Sequence, residues 1–232
     1  MRTKLISFAL LCGFAAGAFA TPQIQHWQAA SGARVYFVED HNLPMLDVAV
    51  SFPAGSAYDD AGKKGVAGLT HGLLDLGVQG MNEDDIARKL ADVGARIASS
   101  FDADRSAMTL RTLSSSAERE VALDILARVL QQPLFPQEVL LREKTRLIAS
   151  LREAETKPEF LAEKAFGKAV FGDHPYGWQA EVADIEKVGR DDLLEFFRAH
   201  YAAEGAVVAL MGDVTRQQAE ATDQQREDSQ GD

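Results

Sequence analysis

The chain has 232 residues, 46% of them hydrophobic, with 24 Lys and Arg against 35 Asp and Glu and a formal net charge of −11. That surplus of negative charge repels phosphate backbones and anionic membrane surfaces, so nucleic acid is not an expected partner. Its single cysteine, Cys12, lies in an N-terminal apolar run, which leaves the remainder without disulfides or thiol chemistry.

Met1-Arg2-Thr3-Lys4 opens the chain, and the apolar run from Leu5 closes on Ala18-Phe19-Ala20. A basic start, a short apolar core and a small-x-small site mark a secretory signal peptide over residues 1–20, whose cleavage sends the protein to the periplasm or outside the cell. The run is shorter than the ~20 residues of a membrane span, and no later stretch is long enough, so no span is expected. Leu11 stands before Cys12, where a lipidation signal takes a small residue, and this argues against a lipid anchor. Removing the leader takes Arg2 and Lys4 with it, and the charge becomes −13. The remaining 212 residues suit one domain or a little more.

Residues 24–29 and 33–39 read as short strands around a Ser31-Gly32 turn. From Met45 to Phe52, Leu46, Val48 and Val50 alternate with Asp47, Ala49 and Ser51, the period of a third strand. A polar loop leads to Gly65. Val66 to Leu76 has helical spacing and ends at Gly77, a candidate C-cap. Asn82 caps a helix over 83–93, whose acidic first turn suits the helix dipole, and Gly94 stops it. Strands at 95–101 and 106–113 flank Asp102-Ala103-Asp104-Arg105. Ser116 caps a helix from Ala117 to Leu130, Pro136 opens one over 137–155, and Pro158 opens another to Val170. Residues 171–178 form a loop, 191–201 a helix, and Ala206 to Met211 a buried returning strand. From 216 to 232 the chain is polar and free of large aliphatics, the composition of a disordered tail. A block of strands, then helices, then a returning strand predicts an α+β domain over 21–215. Its architecture is one mixed, mainly antiparallel sheet with helices packed on one face.

Several segments, in this order, resemble the M16 metallopeptidase family, which includes pitrilysin, insulin-degrading enzyme and the mitochondrial processing peptidase. Val48 to Ser56 resembles that family's third strand and following turn. Asp59 and Gly62 lie in its approach loop. Gly65-Val66-Ala67-Gly68-Leu69-Thr70-His71-Gly72-Leu73-Leu74-Asp75-Leu76-Gly77 occupies the place of its inverted zinc motif, H-x-x-E-H. Ala91 to Ser100, Phe171 to Gly177 and Ala206 to Asp213 resemble later family segments. The match runs over about residues 24–215, and it implies the N-terminal domain of a LuxS/M16-like metallohydrolase fold.

Zinc needs neutral imidazoles and a carboxylate converging within ~2.0–2.2 Å of one point. Histidines at i and i+4 share a helix face, and a neighbouring glutamate activates the metal-bound water. By resemblance the two histidine positions here are Gly68 and Gly72, and the catalytic glutamate position is His71. The family's third ligand lies about 75 residues on, which falls near Ala149-Ser150. The closest glutamates, Glu143 and Glu153, are each a turn or more away. No catalytic, cofactor-binding or metal residue is therefore assigned, and zinc is expected only in active family members.

His71 and Asp75 share a face at i and i+4; they read as a polar cleft residue and a C-terminal-turn residue. His26, His41, His174 and His200 sit in unrelated segments, with His174 read as a structural loop residue. No G-x-S-x-G or phosphate loop is present. The two glycines either admit a close backbone approach or fill space left by zinc ligands.

The resemblance implies a noncatalytic subunit that assists a zinc-bearing M16 homologue, as its hetero-oligomeric partner, in proteolysis of a shared peptide substrate. One alternative is a truncated product of a two-domain M16 protein with no function of its own; it would expose an apolar face where a second domain docks. Another is a hydrolase with an unrecognised site.

Overall fold

The computed structural model describes residues 23–221. The leader expected over residues 1–20 and the end of the polar tail, 222–232, lie outside the described residues.

Eight strands form among these residues. Six of them, β1 (Gln25–Gln28), β2 (Arg34–Glu39), β3 (Met45–Phe52), β6 (Arg96–Phe101), β7 (Ser106–Leu113) and β8 (Val207–Gly212), make one sheet. Its order is β1-β2-β8-β3-β7-β6. The returning β8 inserts between β2 and β3, parallel to β2 and antiparallel to β3, and the remaining pairs are antiparallel. The mixed, mainly antiparallel sheet is thus as expected.

Alternation decides which face is covered. Along β3, Leu46, Val48, Val50 and Phe52 are buried while the residues between them are partly open. Phe37, Leu210, Val48 and Leu110 are direct cross-strand neighbours and form one inward row over four strands. Gly212, with φ at +146°, lets β8 run against β3, because a Cβ there would sit 2.1 Å from the Met45 carbonyl oxygen.

The helices lie on that inward side, one of them with none of its residues buried. They are α1 (Val66–Gly72), α2 (Glu83–Asp92), α3 (Ser116–Gln131), α4 (Gln137–Ala154), α5 (Pro158–Phe171), α6 (Val182–Lys187) and α7 (Arg190–His200). Asn82 caps α2 as read: its side chain accepts the Asp85 N–H at 2.9 Å. Ile125, Leu126 and Val129 of α3 pack over β7, and α1 rests on α7 and α4.

Some boundaries depart from the sequence reading. The first helix ends at Gly72, not Leu76. Leu73–Leu76 turn instead toward a two-stranded ladder of β4 (Gly77–Val78) and β5 (Met81–Asn82). Gly77 is a strand residue rather than a C-cap, and its bare α-carbon faces Pro136, which a Cβ would meet at 3.0 Å. Helix α6 is too short to show a period. It is held by the Asp184 carboxylate, which accepts the Glu181 N–H. Residues 216–221, expected to be irregular, are helical. There Ala219 is buried and the Arg216 guanidinium lies 4.9 Å from the centre of the Trp27 ring, contacts that local polarity does not reveal.

Helix α5 is the outlier. It buries none of its residues, and Leu161, Phe166 and Val170 stand exposed. Its main packing is on the short turn Pro175–Gly177. Among the described residues, no helix is long and apolar enough to cross a membrane.

Candidate functional site

Helix α1 starts at Gly65, which has φ at +94° and no side chain to cap with. Asp59 caps it from the preceding loop: Oδ2 accepts the Gly65 N–H and Oδ1 the Ala67 N–H, each at 2.7 Å. A carboxylate at a helix N-terminus complements the exposed N–H groups and the dipole. Burial raises the Asp59 pKa, while these two hydrogen bonds oppose the rise. Val66, Ala67, Leu69 and Thr70 then point into the core. Gly68 and Gly72, one helical turn apart, are left on the outer side.

That outer side faces α4 across a groove of about 330 Å³. Gly68, Leu69, Gly72 and Leu73 form one wall; Glu143, Arg146, Leu147 and Ser150 form the other. The third-ligand count fell on Ala149-Ser150. Ser150 lines the groove, whereas Ala149 is exposed and does not. Glu153 is further along and pairs with Lys157 at 2.8 Å. Glu143 does face the groove, but its carboxylate is held at 2.8 Å by both Arg142 and Arg146.

The structure separates the two readings of the glycines. A Cβ on Gly72 would meet nothing within 4 Å, and one on Gly68 would make ordinary contact with the Phe101 ring at 3.7 Å. No backbone approaches either α-carbon closely enough to require glycine. Both positions open onto the space between α1 and α4.

His71 turns the other way. Its Nδ1 lies 2.7 Å from Ser106 Oγ, and the Tyr201 hydroxyl donates to the same oxygen at 2.8 Å. With Tyr201 donating, the Ser106 hydroxyl is free to donate to Nδ1, which places the imidazole proton on Nε2. Burial lowers the His71 pKa and pushes Tyr201 up to about 12, so both remain neutral near pH 7. Ser106 is fully buried, so this His–Ser pair offers no accessible nucleophile. Asp75, raised by burial, is not the partner of His71.

The remaining histidines disperse. His26 stacks on Tyr36, and His41 bridges Glu39 and Asp213. His200 packs on Phe196 and Tyr58. His174 accepts the Tyr176 N–H at the head of a 3-10 turn, a structural loop role as read. Among the described residues, no three His, Cys, Asp or Glu side chains converge as a metal site. The α1–α4 groove does not fit the zinc ion that this fold type implies. Two donor positions have no side chain, His71 faces the core, Glu143 is already paired, and Arg146 adds a positive charge.

The reading of the sequence missed Ser106 and Tyr201, and it took Asp59 only as part of a loop. A serine opening a strand and a tyrosine ending a helix carry no local signal, since their partner is 35 or 95 residues away.

A mixed sheet backed by helices, with a short first helix set across a groove from a long one, defines a metallopeptidase-type domain whose donor positions are bare. The chain belongs to the insulinase family, peptidase family M16, whose model matches residues 34–181. It is 26% identical over 183 residues to an uncharacterized zinc protease of Rickettsia bellii, covering 77% of this chain and 44% of that protein. It is also 26% identical over 182 residues to the non-peptidase homolog YmxG of Helicobacter pylori, covering 78% of this chain and 42% of that one. Among solved structures, a peptidase M16 inactive domain from Pseudomonas fluorescens superposes with a TM-score of 0.86 at 35% identity, covering 89% of this chain and 50% of that chain. The chain therefore spans about half the length of the relatives it matches.

Proposed function

We propose that this chain is a noncatalytic M16 subunit that supplies peptide-binding surface to a zinc-bearing M16 homologue, after export by its leader to the periplasm or beyond. The observation that carries the reading is the pairing of an intact seat with empty positions. Asp59 caps α1, which faces α4 across a groove, yet Gly68 and Gly72 present no donor. Relatives named non-peptidase homolog and inactive domain support it. The surface on offer is β6, the last strand of the sheet, which among the described residues pairs only with β7 and so has an outer edge that could take an added strand.

The test uses the purified mature chain, given zinc, with metal content measured by mass spectrometry. Cleavage of unfolded peptides is assayed with the chain alone and after adding an H-x-x-E-H homologue from the same genome. The expected result is zinc far below one per chain, no cleavage alone, and faster cleavage by the homologue when the two are mixed. One zinc per chain together with cleavage by this polypeptide unaided would overturn the proposal.

A second reading, that the chain has no function of its own until a second M16-type half docks, is favoured by α5. Its stripe of Leu161, Phe166 and Val170 is apolar and open. Concentration-dependent self-association of the isolated chain, abolished in Phe166→Asp, would favour that reading over the first.

A further inference from the structure

We infer that His41 is the moving part of a pH-sensitive clasp at the end of the sheet where β8 leaves it. Protonated, the ring ties the turn between β2 and β3 to the chain beyond β8; neutral, it releases one of its two partners and loosens that turn. The inference stands apart from peptide binding and from the α1–α4 groove.

Three stretches distant in the chain meet at this point. His41 follows β2, Ser114 follows β7 and Asp213 follows β8. His41 Nδ1 lies 2.5 Å from Asp213 Oδ1, and Nε2 lies 2.9 Å from Oε1 of Glu39, the last residue of β2. The other oxygen of Asp213 accepts the Ser114 hydroxyl at 2.6 Å. An ionised carboxylate only accepts, and a neutral imidazole carries one N–H and one lone pair. With both ring nitrogens facing carboxylates, the two bonds form together only on the doubly protonated ring. A neutral ring keeps one bond and sets its lone pair against the other carboxylate. The arrangement is not that of a nucleophilic triad, because the serine bonds the aspartate and not the histidine.

The surroundings favour the charged ring. Asp213 and Glu39 both accept from it and raise the His41 pKa above its ordinary 6.5. Ser114 and His41 hold the Asp213 carboxyl below its ordinary range, so the proton stays on the ring. Of the other charged groups around the cluster, Arg119 on α3 bonds the Ser114 carbonyl at 2.8 Å, and Asp40 accepts from Asn42 within the turn. The hold is therefore complete below pH 6.5 and is lost as pH rises through the folded value. The His41 side chain is 55% exposed, so protons reach it without any opening of the fold. Release is local, because backbone bonds keep the strands paired whatever the charge. The Asp40 N–H donates to the Gly212 carbonyl at 3.0 Å, Asp213 N–H to that of Met45 at 2.9 Å, and Ser114 N–H to that of Pro44 at 3.0 Å. What gains freedom is the stretch 41–43, which carries the exposed Leu43.

The experiment follows the ring nitrogens of His41 by NMR in the mature chain as pH is raised across neutrality. Alongside it, hydrogen exchange gives the protection of the Asn42 amide, which donates to Asp40 in the turn, corrected for the intrinsic pH dependence of exchange. The expected result is a ring protonated on both nitrogens at low pH, with a midpoint above 6.5. Asn42 protection falls about threefold through that midpoint, the scale of an exposed ion pair. In Asp213→Asn the midpoint moves down toward 6.5, and in His41→Gln the step in protection disappears, with circular dichroism confirming that both variants fold. A midpoint at or below 6.5 in the unaltered chain overturns the clasp. So does Asn42 protection that stays constant through the midpoint, or a step that survives in His41→Gln.

Discussion

Helices α1 and α5 draw on a similar set of residues and meet opposite fates. In α1, Val66, Ala67, Leu69 and Thr70 are all buried. In α5, Leu161, Ala162, Ala165, Phe166, Ala169 and Val170 are all exposed, Phe166 at 68%. The difference lies in what stands opposite. Asp59 ties the N-terminus of α1 into the domain, and α4 and α7 cover its flanks. Among the described residues, helix α5 packs mainly on the turn 175–177 and is tied to Glu181 through Lys164 at 2.9 Å. What buries an apolar helix is the element opposite it, and among the described residues α5 has little there.

The largest effect that sharpens this contrast is on the α1 side. Leu69→Ala removes a buried side chain and is expected to cost about 3 kcal/mol in urea denaturation. A loss below about 1 kcal/mol would mean that α1 is not the seated element described. Gly68→Ala has the opposite sign. The added methyl meets only the Phe101 ring at ordinary contact, and a helix interior favours alanine by about 1 kcal/mol, so the thermal midpoint rises.

The pH dependence comes next. Burial holds the His71 pKa below its ordinary 6.5, so the unfolded chain binds more protons than the folded one. The stability contributed by neutral His71 is complete above pH 6.5 and is lost as pH falls from there through the folded value. His41 shifts the other way because Asp213 and Glu39 accept from it. Comparing the chain with His71→Gln cancels that second histidine. The unaltered protein should lose more stability than the variant on acidification, and parallel curves would show that His71 is not buried neutral. The smallest effect belongs to α5: Phe166→Ser should stay within about 0.5 kcal/mol. A large loss there would show that the helix is covered in solution.

Much of this could be read from residue order. The β3 alternation fell on Met45–Phe52, the turn at Asp102–Arg105 joined two strands as placed, and Asn82 capped its helix. Each of these signals is local: a period of two, an Asx turn, a cap bonding three residues on. The bare positions at Gly68 and Gly72 were equally legible, because a missing side chain needs no fold to be seen. The true end of α1 was not. Leu73–Leu76 continue the helical pattern, and only pairing of Gly77–Val78 with Met81–Asn82 draws them out of it.

The sequence by itself determined the family, the mixed and mainly antiparallel character of the sheet and the glycines at positions 68 and 72, since all three follow from residue identity and order along the chain. Tertiary structure alone decided two further things. It turned His71 toward Ser106, which also takes the Tyr201 hydroxyl, and it set a groove between α1 and α4. The reason is that hydrogen bonds and cavities form between residues distant in the chain. Their partners are chosen by packing, and nothing in the local pattern records the choice.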